Sequence, residues 1–179
     1  GTGISGALAL DGTAAQQSDG WQVATNLQGL SGTRAQLNGL ARNNGTLSMT
    51  AKGSAPLALV NTFIAPRNLQ GQAQFDLAVN GPPNLSAVSG SVTTTGARLS
   101  APNFKIALND VALRATLNQG RATLDTSAAV SSGGRITMRG PINNLAGSMT
   151  ANLEIALQGL KLVDPELYET TINGALNVR

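Results

Sequence analysis

Residues 69–79 read Leu69-Gln70-Gly71-Gln72-Ala73-Gln74-Phe75-Asp76-Leu77-Ala78-Val79. One parity holds Leu69, Gly71, Ala73, Phe75, Leu77 and Val79; the other holds the glutamines and Asp76. Successive side chains of a strand point to opposite faces, so this alternation predicts a half-buried β-strand. The same period returns at Trp21/Val23/Thr25/Leu27, Leu47/Met49/Ala51, Phe104/Ile106/Leu108 and Val111/Leu113/Ala115/Leu117. It continues at Ala122/Leu124/Thr126/Ala128/Val130, Ile136/Met138, Ala151/Leu153/Ile155/Leu157 and Ile172/Gly174/Leu176/Val178. Turn residues fall between the runs: Asp11-Gly12, Asn43-Asn44-Gly45, Gly81-Pro82-Pro83, Asn118-Gln119-Gly120 and Ser131 to Gly134. The clearest hairpin is Asn118-Gln119-Gly120, read as a three-residue loop with its glycine in the left-handed region. Short connections join antiparallel neighbours, because parallel strands need long crossovers. The chain is expected to be all-β, a meander of about a dozen antiparallel strands.

One segment breaks the period. Ser54 is a candidate cap for one short helix at about residues 55–65, with Pro56 in its first turn. Leu57, Val60, Phe63 and Ile64 form its apolar stripe, and Pro66 stops it. A second helical turn is expected after Asp164-Pro165, through Glu166, Leu167 and Tyr168.

Charge placement carries most of the information. Asp76, Arg98, Lys105, Arg114, Arg121, Asp125, Arg135, Arg139 and Glu154 all take the polar parity of their strands. The other parity is aliphatic throughout: Phe75, Leu77 and Val79, then Val92 and Leu99, Ile106 and Leu108, Leu113 and Leu117. It goes on through Leu124, Ile136 and Met138, Leu153 and Ile155, Ile172 and Leu176. A helix of about ten residues spans only ~15 Å and cannot cover a dozen strands. The sheet must therefore fold against itself or hold a ligand. Its inward positions mix Leu, Val and Ile with many Ala, Gly and Thr, a thin lining for a sandwich gap of about 10 Å. A closed core and a lipid groove account for this face equally well at this point.

Composition narrows the function. The 179 residues include 12 Lys/Arg, 9 Asp/Glu, no His and no Cys, and 41% are apolar. This excludes a disulfide framework, thiolate metal sites and His- or Cys-based catalysis. No catalytic, cofactor-binding or metal-ligating residues are assigned, and no cofactor is expected. The cations are scattered singly among five aromatics (one Trp, one Tyr, three Phe), which is not a nucleic-acid surface. Gly1-Thr2-Gly3-Ile4-Ser5-Gly6 has the dinucleotide spacing without a preceding strand or a following helix. Asp164, Glu166 and Glu169 are the only acidic cluster and fit a helix start better than a metal site.

Several segments in order resemble the TamB family. They are Pro56 to Asn61 leading to Ala65-Pro66-Arg67-Asn68-Leu69-Gln70-Gly71; Asn80-Gly81-Pro82-Pro83, Ser89-Gly90 and Gly96 to Pro102; and Gly133 to Ile136, Gly140-Pro141 and Leu160 to Pro165. The likeness is best from Ser54 to Arg179. TamB is the inner-membrane-anchored periplasmic subunit of the translocation and assembly module of Gram-negative bacteria. The resemblance implies a long curled sheet, a β-taco, with an apolar concave trough. It implies outer-membrane biogenesis in the periplasm, with phospholipid or unfolded outer-membrane protein as cargo and the outer-membrane barrel TamA as partner through regions absent here. It is similar also to the AsmA-like bridge proteins of lipid transfer, and it implies no enzyme activity. Residues 1–179 are then a single β-rich fragment of a longer periplasmic repeat region. The alternation running up to Arg179, and that leading from Gly1 through Ile4 and Leu8 to Leu10, is consistent with further strands beyond. The alternative is a ligand-free structural β-solenoid or adhesin-type module, which requires a fixed repeat that the wandering strand spacing does not show. A membrane barrel needs two aromatic girdles, too many for five aromatic residues.

Overall fold

The structure is a computed structural model and describes residues 9–29, 32–102, 106–164 and 168–178. It is all-β, with one 13-stranded antiparallel sheet that does not close on itself. Strands β1 (Ala9–Gln17), β2 (Gly20–Gln28), β3 (Arg34–Arg42) and β4 (Leu47–Pro56) lie side by side in chain order. They are followed by β6 (Gln72–Gly81), β7 (Val88–Ala101), β8 (Ile106–Asn118), β9 (Arg121–Val130), β10 (Arg135–Asn143), β12 (Leu153–Asp164) and β13 (Tyr168–Val178). The short β5 (Asn68–Gln70) pairs with β7, and β11 (Thr150–Ala151) pairs with β10. Along the main path each strand is followed by its spatial neighbour, and the longest connection, residues 57–71 between β4 and β6, contains the helical turns and β5.

The run that began at Leu69 is broken at Gly71 into β5 and β6. Strands β3 and β7 escape the alternation pattern because small and hydroxyl residues fill many of their inward positions. Asp11 and Gly12 are not a turn; both lie inside β1, and the chain reverses at Ser18-Asp19. The hairpin after Asn118 has two loop residues rather than three, since Asn118 pairs with Arg121. Gln119 (φ 46°) and Gly120 (φ 85°) are both left-handed, the geometry of a type I′ turn that matches strand twist.

The helical segment is shorter than expected and has a different task. Strand β4 runs through Pro56, so Ser54 caps nothing. A 3₁₀ turn at Leu57–Val60 and one α-helical turn, α1 (Asn61–Ile64), follow without a side-chain cap. The Asn61 side chain donates from Nδ2 to the Leu69 carbonyl at 3.1 Å and accepts the Leu69 amide at 2.8 Å. The Leu57 amide donates to the Gly71 carbonyl at 2.9 Å. This segment therefore stands in for a strand along the free edge of β5. Of the second expected turn, residues 165–167 lie outside the described residues. Its flanks are strand, with Asp164 of β12 opposite Tyr168 of β13. Gly1 to Leu8, Phe104 and Lys105 also lie outside the described residues.

Three strands carry register shifts, at Thr94/Ala97/Leu99 in β7, Asn109/Ala112 in β8 and Leu157/Leu160 in β12. Each sits where the aliphatic parity of the sequence switches. In β8, Ile106 and Leu108 give way to Val111, Leu113, Ala115 and Leu117. An extra residue in the left-handed region absorbs the switch: Gly96 (φ 65°), Asp110 (φ 50°) and Gly159 (φ 59°). Without these bulges, half of each strand would turn its aliphatic residues to the charged side.

Gly96 and Gly90 separate two roles of glycine in β7. Gly96 has φ 65° with nothing within 4 Å of an added Cβ; at Gly90 (φ 122°) that Cβ lies 2.1 Å from the Asp76 carbonyl oxygen. Gly96→Ala is expected to lower stability by about 1–2 kcal/mol, the left-handed penalty alone. Gly90→Ala should cost about twice as much or more, because strain and backbone collision combine. Equal shifts of the urea midpoint would contradict this division.

Candidate functional site: the aliphatic face of the sheet

Residues directly opposite each other in adjacent strands project to the same side of a sheet. The register therefore assembles the faces without further assumption. One lateral row runs Leu10, Leu27, Ala35, Gly53, Phe75, Val92, Ala115, Leu124 and Gly140, crossing β1 to β10. The next toward the register shifts includes Leu113, Thr126, Met138, Ile155 and Leu176, crossing β8 to β13. Leu77 and Leu117 flank Gly90 in another row, and Leu99 stands opposite Leu108. Val79, Ile106, Ile136, Leu153 and Ile172 take the same side. All the aliphatic residues singled out in the sequence thus share one face. Arg34, Lys52, Asp76, Arg114, Asp125, Arg139 and Glu154 take the opposite side.

What the sequence leaves open is how well this face is covered. Every residue of that set is half-buried except Leu176, which is exposed; none is buried. The buried side chains are small: Ala97 at 0%, Ala128 at 2%, and Val130, Thr94, Ala87 and Ala122 slightly above. The chain exposes 11370 Å². A compact monomer of 18.2 kDa exposes about 8,100 Å², so the excess is about 40%. Among the described residues, no large side chain is fully buried.

The best-buried positions follow the bulges. Ala97 pairs with Val111 beside the shifts in β7 and β8, and Gly71, at the β5/β6 break, comes within 3.1 Å of Ala97 measured from an added Cβ. Ala128 pairs with Ile136, which pairs in turn with Leu157 at the β12 shift. The irregularities thus fall on one line across the sheet from Gly71 to Gly159, a crease in its hydrogen-bond ladder. The Thr94 hydroxyl donates to the Gln72 carbonyl at 2.7 Å, satisfying a backbone group beside the break. At the far end, the Gly159 amide donates to Asn173 Oδ1 at 2.7 Å. Bulges bend and twist strands locally, and several in line bend the whole sheet.

The reverse face is ordered by charge. Lys52 and Asp76 are register partners with Nζ 2.9 Å from Oδ2. Arg114 stands opposite Asp125, Asp125 opposite Arg139, and Arg139 opposite Glu154, so sign alternates over four successive strands. Such cross-strand pairs favour this register by about 0.2–1 kcal/mol each, at the low end where exposed. Shallow hollows open on this side. One of about 390 Å³ is lined by Asn26, Gln28, Arg34, Gln36 and Lys52 together with Leu27, Ala35 and Gly53. Another, of about 600 Å³, lies by Gln74, Asp76, Thr93 and Arg114. Sequence reasoning missed them because they arise between long polar side chains of different strands, set together only by the register.

No grouping of three or more metal-binding side chains occurs among the described residues. No helix of the described residues is long and apolar enough to cross a membrane. No family model, curated protein or solved structure matches the chain.

Partial cover has an energetic signature. Truncating Leu124 to Ala in a packed core would cost about 2–5 kcal/mol. On this half-exposed face the expected loss is about 1 kcal/mol, the share of side-chain transfer energy realised here. Urea denaturation of Leu124→Ala measures it, and a loss within the packed-core range would mean that the face is closed.

Proposed function

We propose that the aliphatic face is the inner wall of a curled trough that carries or shields hydrocarbon. The cargo would be phospholipid acyl chains or the apolar side of a nascent outer-membrane protein strand. On this reading the chain is a periplasmic part of a TamB-like protein acting in outer-membrane biogenesis. The observation that carries the reading is a continuous apolar face whose large side chains all keep some exposure, with the alternating charges of Arg114, Asp125, Arg139 and Glu154 on the other side. Contiguous apolar surface of this extent marks an interaction site in soluble proteins. The line of bulges supports the curl, because bending along the crease turns the two parts of the face toward each other.

The chemistry suits movement along the trough. Each methylene withdrawn from water contributes about 0.8 kcal/mol, so an acyl chain is held by length. Where the wall is aliphatic it fixes no register, and a bound chain slides at little cost. Gly and Ala alternate with Leu, Ile and Val across the face, which leaves room beside the larger side chains. The family resemblance supplies the compartment and the partner TamA. The reading of a structural module without ligand draws support only from composition, and the exposed aliphatic face counts against it.

Solvent extraction and mass spectrometry of gently purified protein should recover phospholipid. Photo-crosslinking residues placed at Leu113 and Leu153 should capture lipid, whereas the same group at Arg114 or Glu154, on the reverse face, should not. Crosslinks from Leu113 and Leu153 that form only within the protein would overturn the proposal.

A further inference from the structure

We infer that Asn44 is a site of spontaneous main-chain modification, where the side-chain amide converts through a succinimide to aspartate and isoaspartate. An asparagine followed by glycine closes this ring most readily, because glycine has no side chain to obstruct its own nitrogen. The sequence holds four such steps: Asn38-Gly39, Asn44-Gly45, Asn80-Gly81 and Asn173-Gly174. The fold separates them. Asn38-Gly39 lies in β3 between β2 and β4, Asn80-Gly81 ends β6 beside β4, and Asn173-Gly174 lies in β13 beside β12. Asn44-Gly45 alone stands in a turn, the one joining β3 to β4, and both of its residues are exposed.

The turn prepares the electrophile. The Thr46 amide and hydroxyl both donate to Asn44 Oδ1, at 3.0 and 2.7 Å. Two donors on one carbonyl oxygen draw electrons from Cγ and stabilise the charge that grows on that oxygen under attack. The Gly45 nitrogen forms a bond to Cγ, the Cγ–Nδ2 bond breaks, and ammonia leaves with the Gly45 amide proton. Water then opens the ring, at Cγ to give aspartate or at the main-chain carbonyl to give isoaspartate. Before attack, Gly45 must release its bond to the Arg42 carbonyl, 3.0 Å long and exposed to solvent. A Cβ added at Gly45 would meet nothing within 4 Å, so no neighbour blocks the swing; at Gly39 it would collide with the Ser48 carbonyl oxygen. In a strand the same swing takes the backbone out of its extended range and breaks ladder bonds. Each event at Asn44 lowers the formal net charge of +3 by one, two residues from Arg42. The isoaspartate form also adds a methylene to the loop that the Arg42 amide closes on the Thr46 carbonyl at 2.9 Å, and so loosens the β3–β4 hairpin. None of this depends on a cargo at the aliphatic face.

The test holds the folded chain at mildly alkaline pH, follows acidic species by ion exchange, and locates them by peptide mass spectrometry. Asn44 should convert at least about tenfold faster than Asn38, Asn80 or Asn173, because each strand must first open locally. In the urea-unfolded chain, where the four steps share one dipeptide, that preference should vanish. Asn44→Gln, whose longer side chain closes a larger ring slowly, should remove the early acidic form while the circular dichroism spectrum stays unchanged. Conversion spread evenly over the four sites of the folded chain overturns the inference. So does a preference for Asn44 that persists undiminished in urea, or an acidic form that grows as fast in Asn44→Gln.

Discussion

The structure depends on lateral register. Side chains alternate with a period of two, so a slip of one residue between neighbouring strands would bring Arg114, Asp125, Arg139 and Glu154 onto the side of Leu113, Leu124, Met138 and Ile155. The aliphatic contacts across strands and the alternating charges on the reverse face select the same alignment. Neither set is individually strong. The Lys52–Asp76 pair has both side chains more than half exposed, and such pairs contribute little in water. Their combined effect is to make the correct register the one that avoids ionised groups on the hydrocarbon side.

Keeping that segregation through long strands requires bulges. A strand whose aliphatic residues change parity must insert a residue or present the wrong face, and Gly96, Asp110 and Gly159 are the insertions. Their alignment places the irregular backbone of β7, β8 and β12 on one line across the sheet. The smallest inward side chains, Ala97 and Ala128, are also the best buried because they sit beside this line, where neighbouring backbone comes closest. The larger aliphatics keep a part of their surface even beside this line, as Val111 and Ile136 do opposite Ala97 and Ala128.

The sequence by itself determined the all-β class, the antiparallel meander, most strand positions and the division into an aliphatic and a charged face. These are local properties: period two, turn residues and parity are legible along the chain. Reading them failed where two local signals compete. Asp11-Gly12 has turn chemistry yet is held in β1 by nine consecutive pairs with β2. Ser54-Ala55-Pro56 has a helix-start pattern yet continues β4 opposite Gln74, Ala73 and Gln72. In both places lateral hydrogen bonding to a neighbour outweighs local preference. Only the tertiary structure decided that the bulges line up, that the Asn61 segment guards an edge instead of covering a face, and that the large aliphatic side chains keep part of their surface exposed. Those outcomes depend on which residues of distant strands stand opposite each other, and alternation along one strand is the same whether the strand above it is covered or bare.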